Sequence, residues 1–268
     1  MRYTDPRPLE VFTLHSFAKD GAAAVTGGRA PRIPDLSIVI PVYNERENLL
    51  PLWEEVRAAL DRTGRSAEII FANDGSLDGS AEVLSSLRRT DSSVRVLHLR
   101  PNSGQTAALV AGFRAARGEI VVTLDGDRQN DPADIPALLA KIPEFDAAVG
   151  YRANRADNWV RRVSGWISNA VRNAVSRDDI IDTGCMLKAF RRECLSTLPE
   201  FNGMHRFLPT LVRMAGFKVC QIPVRHRPRL AGRSKYGIGN RLFPALRDLL
   251  GVRWLQNRHM TYNVDEEG

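Results

Sequence analysis

Asp125-Gly126-Asp127, with Gln129 two places on, is the segment of this chain best equipped for chemistry. It follows five mostly β-branched or aliphatic residues, Ile120-Val121-Val122-Thr123-Leu124. An apolar run this short, ending abruptly in carboxylates, reads as a buried parallel strand. Open α/β sheets bind ligands at the C-terminal ends of such strands. Two carboxylates and an amide oxygen suit a hard divalent cation, Mg2+ or Mn2+, which prefers oxygen ligands and leaves positions for substrate phosphates.

Two other predicted strands end in polar residues of the same kind. Asn44-Glu45 follows the first strand and Asp74 the second. Parallel strands lie roughly 4.8 Å apart, so these ends can converge on one crevice with Asp125 and Asp127. Independent surface turns would not need carboxylates at three strand ends. Asp74-Gly75-Ser76 is also ordinary turn chemistry, and Tyr43 could equally be a core aromatic.

The elements that must position these residues follow from hydrophobic spacing. Strands are expected over Leu36–Pro41, Ala67–Ala72, Val94–Leu99 and Ile120–Leu124. Helices are expected over Asn44–Leu60, with Leu49, Leu52, Trp53, Val56 and Leu60 on one face, and over Gly104–Ala116. Between them Asp78 resembles an N-cap for a helix carrying Val83, Leu84 and Leu87. Further on, strands are expected over Phe145–Gly150, Cys185–Phe190 and Phe217–Val224, and helices over Pro132–Lys141, Trp159–Val175 and Met204–Ala215. Strands alternating with helices imply a mostly parallel sheet with right-handed crossovers, an α/β fold.

Composition narrows the partners. The 268 residues carry a formal net charge of +7 at pH 7, which favours an anionic partner: nucleic acid, a membrane surface or phosphorylated substrates. Strand-end carboxylates would repel a nucleic-acid backbone, so nucleic acid is disfavoured. Cys185, Cys194 and Cys220 lack zinc-type spacing and read as reduced cytosolic thiols. No run approaches the eighteen or so apolar residues of a membrane span, and the N-terminus has no signal-peptide pattern. Residues 1–34 read as a flexible leader, 35–240 as the catalytic domain and 241–268 as a basic amphipathic tail. From Arg225 to Arg258 nine Lys/Arg oppose one acid, Asp248, while Leu242, Phe243, Leu246, Leu249, Leu250 and Trp254 fall on one helical face. That face suits either an interfacial helix or a helix packed on the domain.

Pro41-Val42-Tyr43-Asn44-Glu45, then Asn73-Asp74-Gly75-Ser76, then Asp125-Gly126-Asp127-Arg128-Gln129 resemble, in this order, the signature of family 2 glycosyltransferases with a GT-A fold. Arg229-Leu230-Ala231-Gly232-Arg233-Ser234-Lys235-Tyr236 is similar to the polyprenyl-phosphate branch, the dolichyl-phosphate mannose synthases and their undecaprenyl-phosphate relatives. Asp182-Thr183-Gly184-Cys185 and His205-Arg206-Phe207-Leu208-Pro209 also fit. The resemblance spans roughly Leu36 to Trp254. It departs at Asn73, where the family often has a second aspartate.

The resemblance implies a Rossmann-like sheet flanked by helices and assigns roles. Pro41, Tyr43, Glu45 and Asp74 would hold the nucleoside. Asp125, Asp127 and Gln129 would hold Mg2+ or Mn2+. Arg229, Ser234 and Lys235 would clamp the diphosphate, and Arg152, Arg161 and Ser164 the acceptor phosphate, with Arg162 competing for the place of Arg161. Asp182 and the His205-Arg206 pair would line the sugar or acceptor pocket. The implied reaction moves a sugar from a nucleotide-sugar donor (GDP-mannose or a UDP-sugar) to a polyprenyl phosphate, with inversion. The enzyme would sit at the inner face of the membrane, on the cytoplasmic side, meeting its lipid from the surface. A family 2 transferase acting on a saccharide or cell-envelope polymer is the alternative. It would need a general base, and Asp182 is the available carboxylate.

Overall fold

The computed structural model describes residues 33–153, 173, 178–228, 239–258 and 260. Four strands lie parallel in its first half: β1 (Leu36–Val42), β2 (Ala67–Asn73), β3 (Val94–His98) and β4 (Ile120–Thr123). Three more complete a seven-stranded sheet in the order β3-β2-β1-β4-β6-β5-β7: β5 (Ala147–Arg152), β6 (Lys188–Arg191) and β7 (Val219–Val224). β6 runs antiparallel to both β4 and β5, and β5 pairs parallel with β7.

That single reversal decides where chemistry collects. The C-terminal ends of β1, β2, β4, β5 and β7 share one edge of the sheet, and the reversed β6 brings its N-terminal end to that edge. The sheet is mostly parallel, as the alternating sequence pattern predicts.

Helices cover both faces. α1 (Arg46–Asp61), α2 (Ser80–Thr90) and α4 (Ile135–Leu139) join one core with Leu36, Ile38, Ile40 and Val42 of β1. On the opposite face α3 (Gln105–Ala115) packs Leu109 against Val39, Ile70 and Val121. The alternation along β1 thus feeds both cores. Leu49, Leu52 and Val56 of α1 are wholly buried, each contributing roughly 1.5–3 kcal/mol of apolar burial.

A third core gathers α5 (Arg192–Ser196), α6 (Leu208–Met214) and α7 (Gly239–Arg258) around Ala147, Val149 and Phe190. α7 docks through Leu249 and Val252, and its Asp248 lies 3.7 Å from Arg206. Leu250 and Trp254 face outward. The apolar face expected on this helix is therefore divided: Leu249 joins the core while Leu250 and Trp254 stay exposed.

Four local expectations change. The helix expected over Pro132–Lys141 is a 3-10 turn at Pro132–Asp134 followed by α4. Asp78 precedes the cap: Gly79 holds that position in the left-handed region, while Asp78 accepts from Ser80 N and Oγ and from Arg46 N. The helix expected over Met204–Ala215 is a 3-10 turn at Met204–Arg206 followed by α6, because Pro209 cannot donate inside a helix but suits its first turn. The strand expected from Cys185 begins at Lys188. β4 ends at Thr123, opposite Lys188, so residues 185–187 have no ladder partner on that side. The helix expected over Trp159–Val175 falls almost wholly outside the described residues.

Candidate active site

The turn of residues 125–129 begins where β4 stops. Asp125 Oδ1 accepts from Gln105 Nε2 at 2.9 Å, and its backbone N donates to Asn130 Oδ1 at 3.3 Å. Asp127 is buried, and its Oδ1 accepts from Gln129 N at 3.1 Å. Arg128 between them has φ 61°, a left-handed conformation uncommon for a residue with a side chain. Gly126 sits in a crowded place: a Cβ there would stand 3.1 Å from the Pro41 carbonyl oxygen and 3.6 Å from Glu45 Cγ, so the Pro41 backbone would have to give slightly. The turn is thus pressed against the end of β1, where Pro41, Tyr43 and Glu45 stand.

Glu45 caps α1 by position and accepts from Asn48 Nδ2 at 2.7 Å, while its backbone N donates to Ser80 Oγ at 3.1 Å. Asn44 ties the same loops together, accepting from Leu77 N and donating to Ser76 Oγ. Asp74, next to Val42 across the β1–β2 ladder, is buried with both oxygens engaged. Oδ1 accepts from Ser103 N at 2.7 Å; Oδ2 accepts from Gly104 N at 2.8 Å and Asn102 Nδ2 at 2.9 Å. Asp74 therefore shapes the loop that leads into α3 and carries Gln105 to Asp125.

Across the crevice, β5 ends in Arg152 and the approach to β6 carries Asp182. Arg152 Nε and Nη2 meet Asp182 Oδ2 and Oδ1 at 2.6 and 2.8 Å, a bidentate fork, and Gly184 N donates to Oδ1 at 3.0 Å. Burial opposes the Arg152 charge, but the bond and charge of Asp182 outweigh it and raise its pKa. A Cβ on Gly184 would stand 2.8 Å from Arg152 Nη2, so a side chain there would have to displace the guanidinium.

Beneath lies a lysine that the motif reading passed over. Lys188 is wholly buried, and its ammonium donates to the Cys185 carbonyl. Burial pushes its pKa down, opposed by the charges of Cys185, Asp125 and Asp182. A lysine inside the apolar run Cys185–Phe190 was the available sequence signal. His205 Nδ1 meets Thr106 Oγ1 at 2.7 Å; burial first, then Arg206 and Lys188, lower its pKa to about 3, so it is neutral near pH 7.

Beyond β7 the chain folds back along the turn of residues 125–129. His226 bridges Asn130, and Arg227 N donates to the Gln129 carbonyl at 2.9 Å. Arg227 meets Glu55 and Asp131, each at 2.8 Å, and Arg225 meets Asp134 at 2.8 Å. Arg229, Ser234 and Lys235, beginning two residues later, lie outside the described residues, as do Arg161 and Ser164. Pro41, Tyr43, Glu45, Asp74, Asp125, Asp127, Gln129, Arg152 and Asp182 stand along the one sheet edge.

By chemistry alone, Asp125, Asp127 and Gln129 are the oxygen donors that a hard divalent cation takes. Among the described residues no three His, Cys, Asp or Glu side chains are grouped to hold a metal by themselves, so a cation here would need further oxygens.

A family model described as "Glycosyl transferase family 2" matches residues 37–198. A dodecaprenyl-phosphate galacturonate synthase of Rhizobium johnstonii is 36% identical over 224 residues, covering 81% of this chain and 66% of its own. An undecaprenyl-phosphate 4-deoxy-4-formamido-L-arabinose transferase of Salmonella paratyphi A is 38% identical over 223 residues, covering 82% and 68%. The chain thus spans about two thirds of the length of these relatives. Among solved structures, the glucosyl-3-phosphoglycerate synthase of Mycobacterium tuberculosis with Mn2+, uridine diphosphate and glucosyl-3-phosphoglycerate aligns with a TM-score of 0.62 at 19% identity, over 83% of this chain and 80% of that one. A mannosyltransferase of Pyrobaculum calidifontis in complex with GDP-Man and Mn2+ aligns at 0.55 and 19%, over 87% and 67%.

Proposed function

The chain belongs to glycosyl transferase family 2, and on that premise we propose that it moves a sugar from a nucleotide-diphosphate sugar to a polyprenyl phosphate, inverting the anomeric carbon. The observation that carries this reading is the Arg152–Asp182 fork at the same sheet edge as the metal turn. A saccharide acceptor would need a free general base to take a hydroxyl proton. Asp182, the carboxylate nearest that role, is held in a bidentate fork by Arg152. A phosphate acceptor is already anionic and needs positioning and charge neutralisation instead. The two relatives named for transfer to polyprenyl phosphates support the same acceptor class.

In this reading Tyr43, Glu45 and the loop shaped by Asp74 receive the nucleoside. Asp125, Asp127 and Gln129 would hold Mg2+ or Mn2+, which supplies Lewis-acid neutralisation of the leaving diphosphate. Arg229, Ser234 and Lys235 add cationic and hydroxyl contacts to that diphosphate. Arg152, with Arg161 and Ser164, directs the acceptor phosphate toward the anomeric carbon, and Asp182 keeps Arg152 pointed into the crevice. Gln105 orients Asp125, and neutral His205 braces the start of α3 through Thr106.

The lipid is met at a membrane surface on the cytoplasmic side. Exposed Leu250 and Trp254, with Arg247 and Arg258 on the same helix, support interfacial contact. Among the described residues no helix is long and apolar enough to cross a membrane.

The deciding experiment supplies labelled GDP-mannose and a panel of UDP-sugars with undecaprenyl phosphate, with and without Mg2+ or Mn2+, and scores label in the lipid phase. Metal-dependent transfer from one donor is expected. Transfer to a free saccharide, with none to the lipid, would replace this reading by the saccharide-acceptor one.

A further inference from the structure

Glu55 lies on α1, outside every sequence motif, yet both of its carboxylate oxygens are engaged at the active-site edge. Oε1 accepts from Arg128 Nη2, and Oε2 accepts from Arg227 Nη1 at 2.8 Å. Arg128 stands between Asp127 and Gln129 in the left-handed conformation. Arg227 binds the Gln129 carbonyl through its backbone and Asp131 through its other nitrogen. One carboxylate thereby joins three separate elements: α1, the metal turn and the exit of β7.

We propose that Glu55 is a positioning residue for donor binding, holding the turn of Asp125, Asp127 and Gln129 in register with the β7 exit at Arg225–Arg227. The proposal rests on the reading of that turn as the metal site. The left-handed conformation costs an ordinary L-residue roughly 1–2 kcal/mol, so something must stabilise it. Among the described residues Glu55 is the carboxylate that pairs with Arg128, whose buried Nε has no hydrogen-bond partner. Without Glu55, Arg128 is released to leave the left-handed region, and its neighbours Asp127 and Gln129 turn with it. Arg227 keeps Asp131, so the β7 exit stays docked while the metal turn loosens.

The test measures Mn2+ binding to the full chain by electron paramagnetic resonance, alongside steady-state transfer and thermal melting. Glu55→Ala and the milder Glu55→Gln are compared in the wild-type background and with Arg128→Gly, since glycine occupies positive φ without an anchor. Glu55→Ala is expected to weaken Mn2+ binding about tenfold and raise the donor KM more than it lowers kcat, with Glu55→Gln in between. In the Arg128→Gly background the same change should shift Mn2+ affinity less than threefold, a coupling that general loss of packing would not produce. Wild-type Mn2+ affinity and donor KM in Glu55→Ala would overturn the proposal, as would equal effects in both backgrounds. Asp127→Ala separates the two layers of inference. Undiminished Mn2+ binding there overturns the metal reading and the proposal with it, whereas loss there with retention in Glu55→Ala removes the positioning role alone.

Discussion

The two halves of the sheet edge hold their charges by different means. On the β1–β4 side, carboxylates are fixed mainly by backbone donors and short polar side chains. Asp74 takes Ser103 N, Gly104 N and Asn102; Asp127 takes Gln129 N; Asp78 takes Ser80 and Arg46 N. On the β5–β7 side, charge is held by charge: Arg152 by Asp182, Arg227 by Glu55 and Asp131, Arg225 by Asp134. Backbone donors make a rigid, net negative cradle that suits a cation. Paired charges can exchange partners with an incoming anion. In the proposed reaction the first half would hold a donor and its metal, and the second would admit phosphates.

The largest effect should follow from emptying the cradle. Asp127→Ala is expected to lower transfer by about 10³-fold or more, roughly 4 kcal/mol of transition-state stabilisation. Steady-state transfer to lipid, with folding checked by circular dichroism, measures it, and activity within tenfold of wild type would erase the contrast between the halves.

Breaking the fork should come next. Asp182→Ala leaves a guanidinium with side-chain exposure of only 15% without its partner. Complete burial would make the loss about 3–5 kcal/mol, and partial solvent access brings the expectation to about 2–3 kcal/mol by denaturant unfolding. Asp182→Asn should lose less, and acceptor KM should rise in both. An unchanged acceptor KM would place the phosphate elsewhere.

Asp74→Asn tests whether the first half relies on charge or on geometry. It turns one acceptor into a donor facing Ser103 N or Gly104 N, at a cost of about 1–3 kcal/mol in stability. Donor KM should rise without a change in acceptor KM; a reversed pattern would assign the loop to the other half.

Lys188→Met acts on the floor beneath both halves. It removes the donor of the buried Cys185 carbonyl, at an expected cost of about 1–3 kcal/mol by denaturant unfolding. Unchanged stability would show that this buried hydrogen bond contributes nothing net.

The smallest effect belongs to pH. His205 has its pKa lowered from 6.5 to about 3, so between those values the unfolded chain binds the extra proton. Its contribution to stability is therefore complete above pH 6.5 and declines as pH falls toward 3. About 1 kcal/mol should be lost between pH 6.5 and 5.5, and His205→Gln should flatten that slope in thermal melts.

The β1–β4 half was largely legible in the sequence, and the reason is local. Each of its carboxylates directly follows a short apolar strand, so pattern and chemistry sit within ten residues, as at Ile120–Asp127. The mostly parallel α/β sheet follows from the same runs, and the family from the resemblance carried by the motifs that end them. The second half was less legible because its pairs are distant: Arg152 and Asp182 are thirty residues apart, and Glu55 and Arg227 are separated by 172. The direction of β6 leaves no periodic trace, since an antiparallel strand alternates as a parallel one does. Glu55 looks like any solvated helix residue until Arg128 and Arg227 are brought to it. The donors of Asp74 come from Asn102, Ser103 and Gly104, some thirty residues on, so its motif gives no sign of them.

α7 sets a constraint of orientation. Leu249 and Val252 are locked in the third core while Leu250 and Trp254 look outward. One residue turns an α-helix by about 100°, so the azimuth of Trp254 about the helix axis is indexed to the catalytic body by the spacing from Val252 alone. Inserting a single alanine after Val252 would swing Trp254 a quarter-turn around the barrel of the helix, leaving the enzyme folded but its outward aromatic aimed along a new compass bearing.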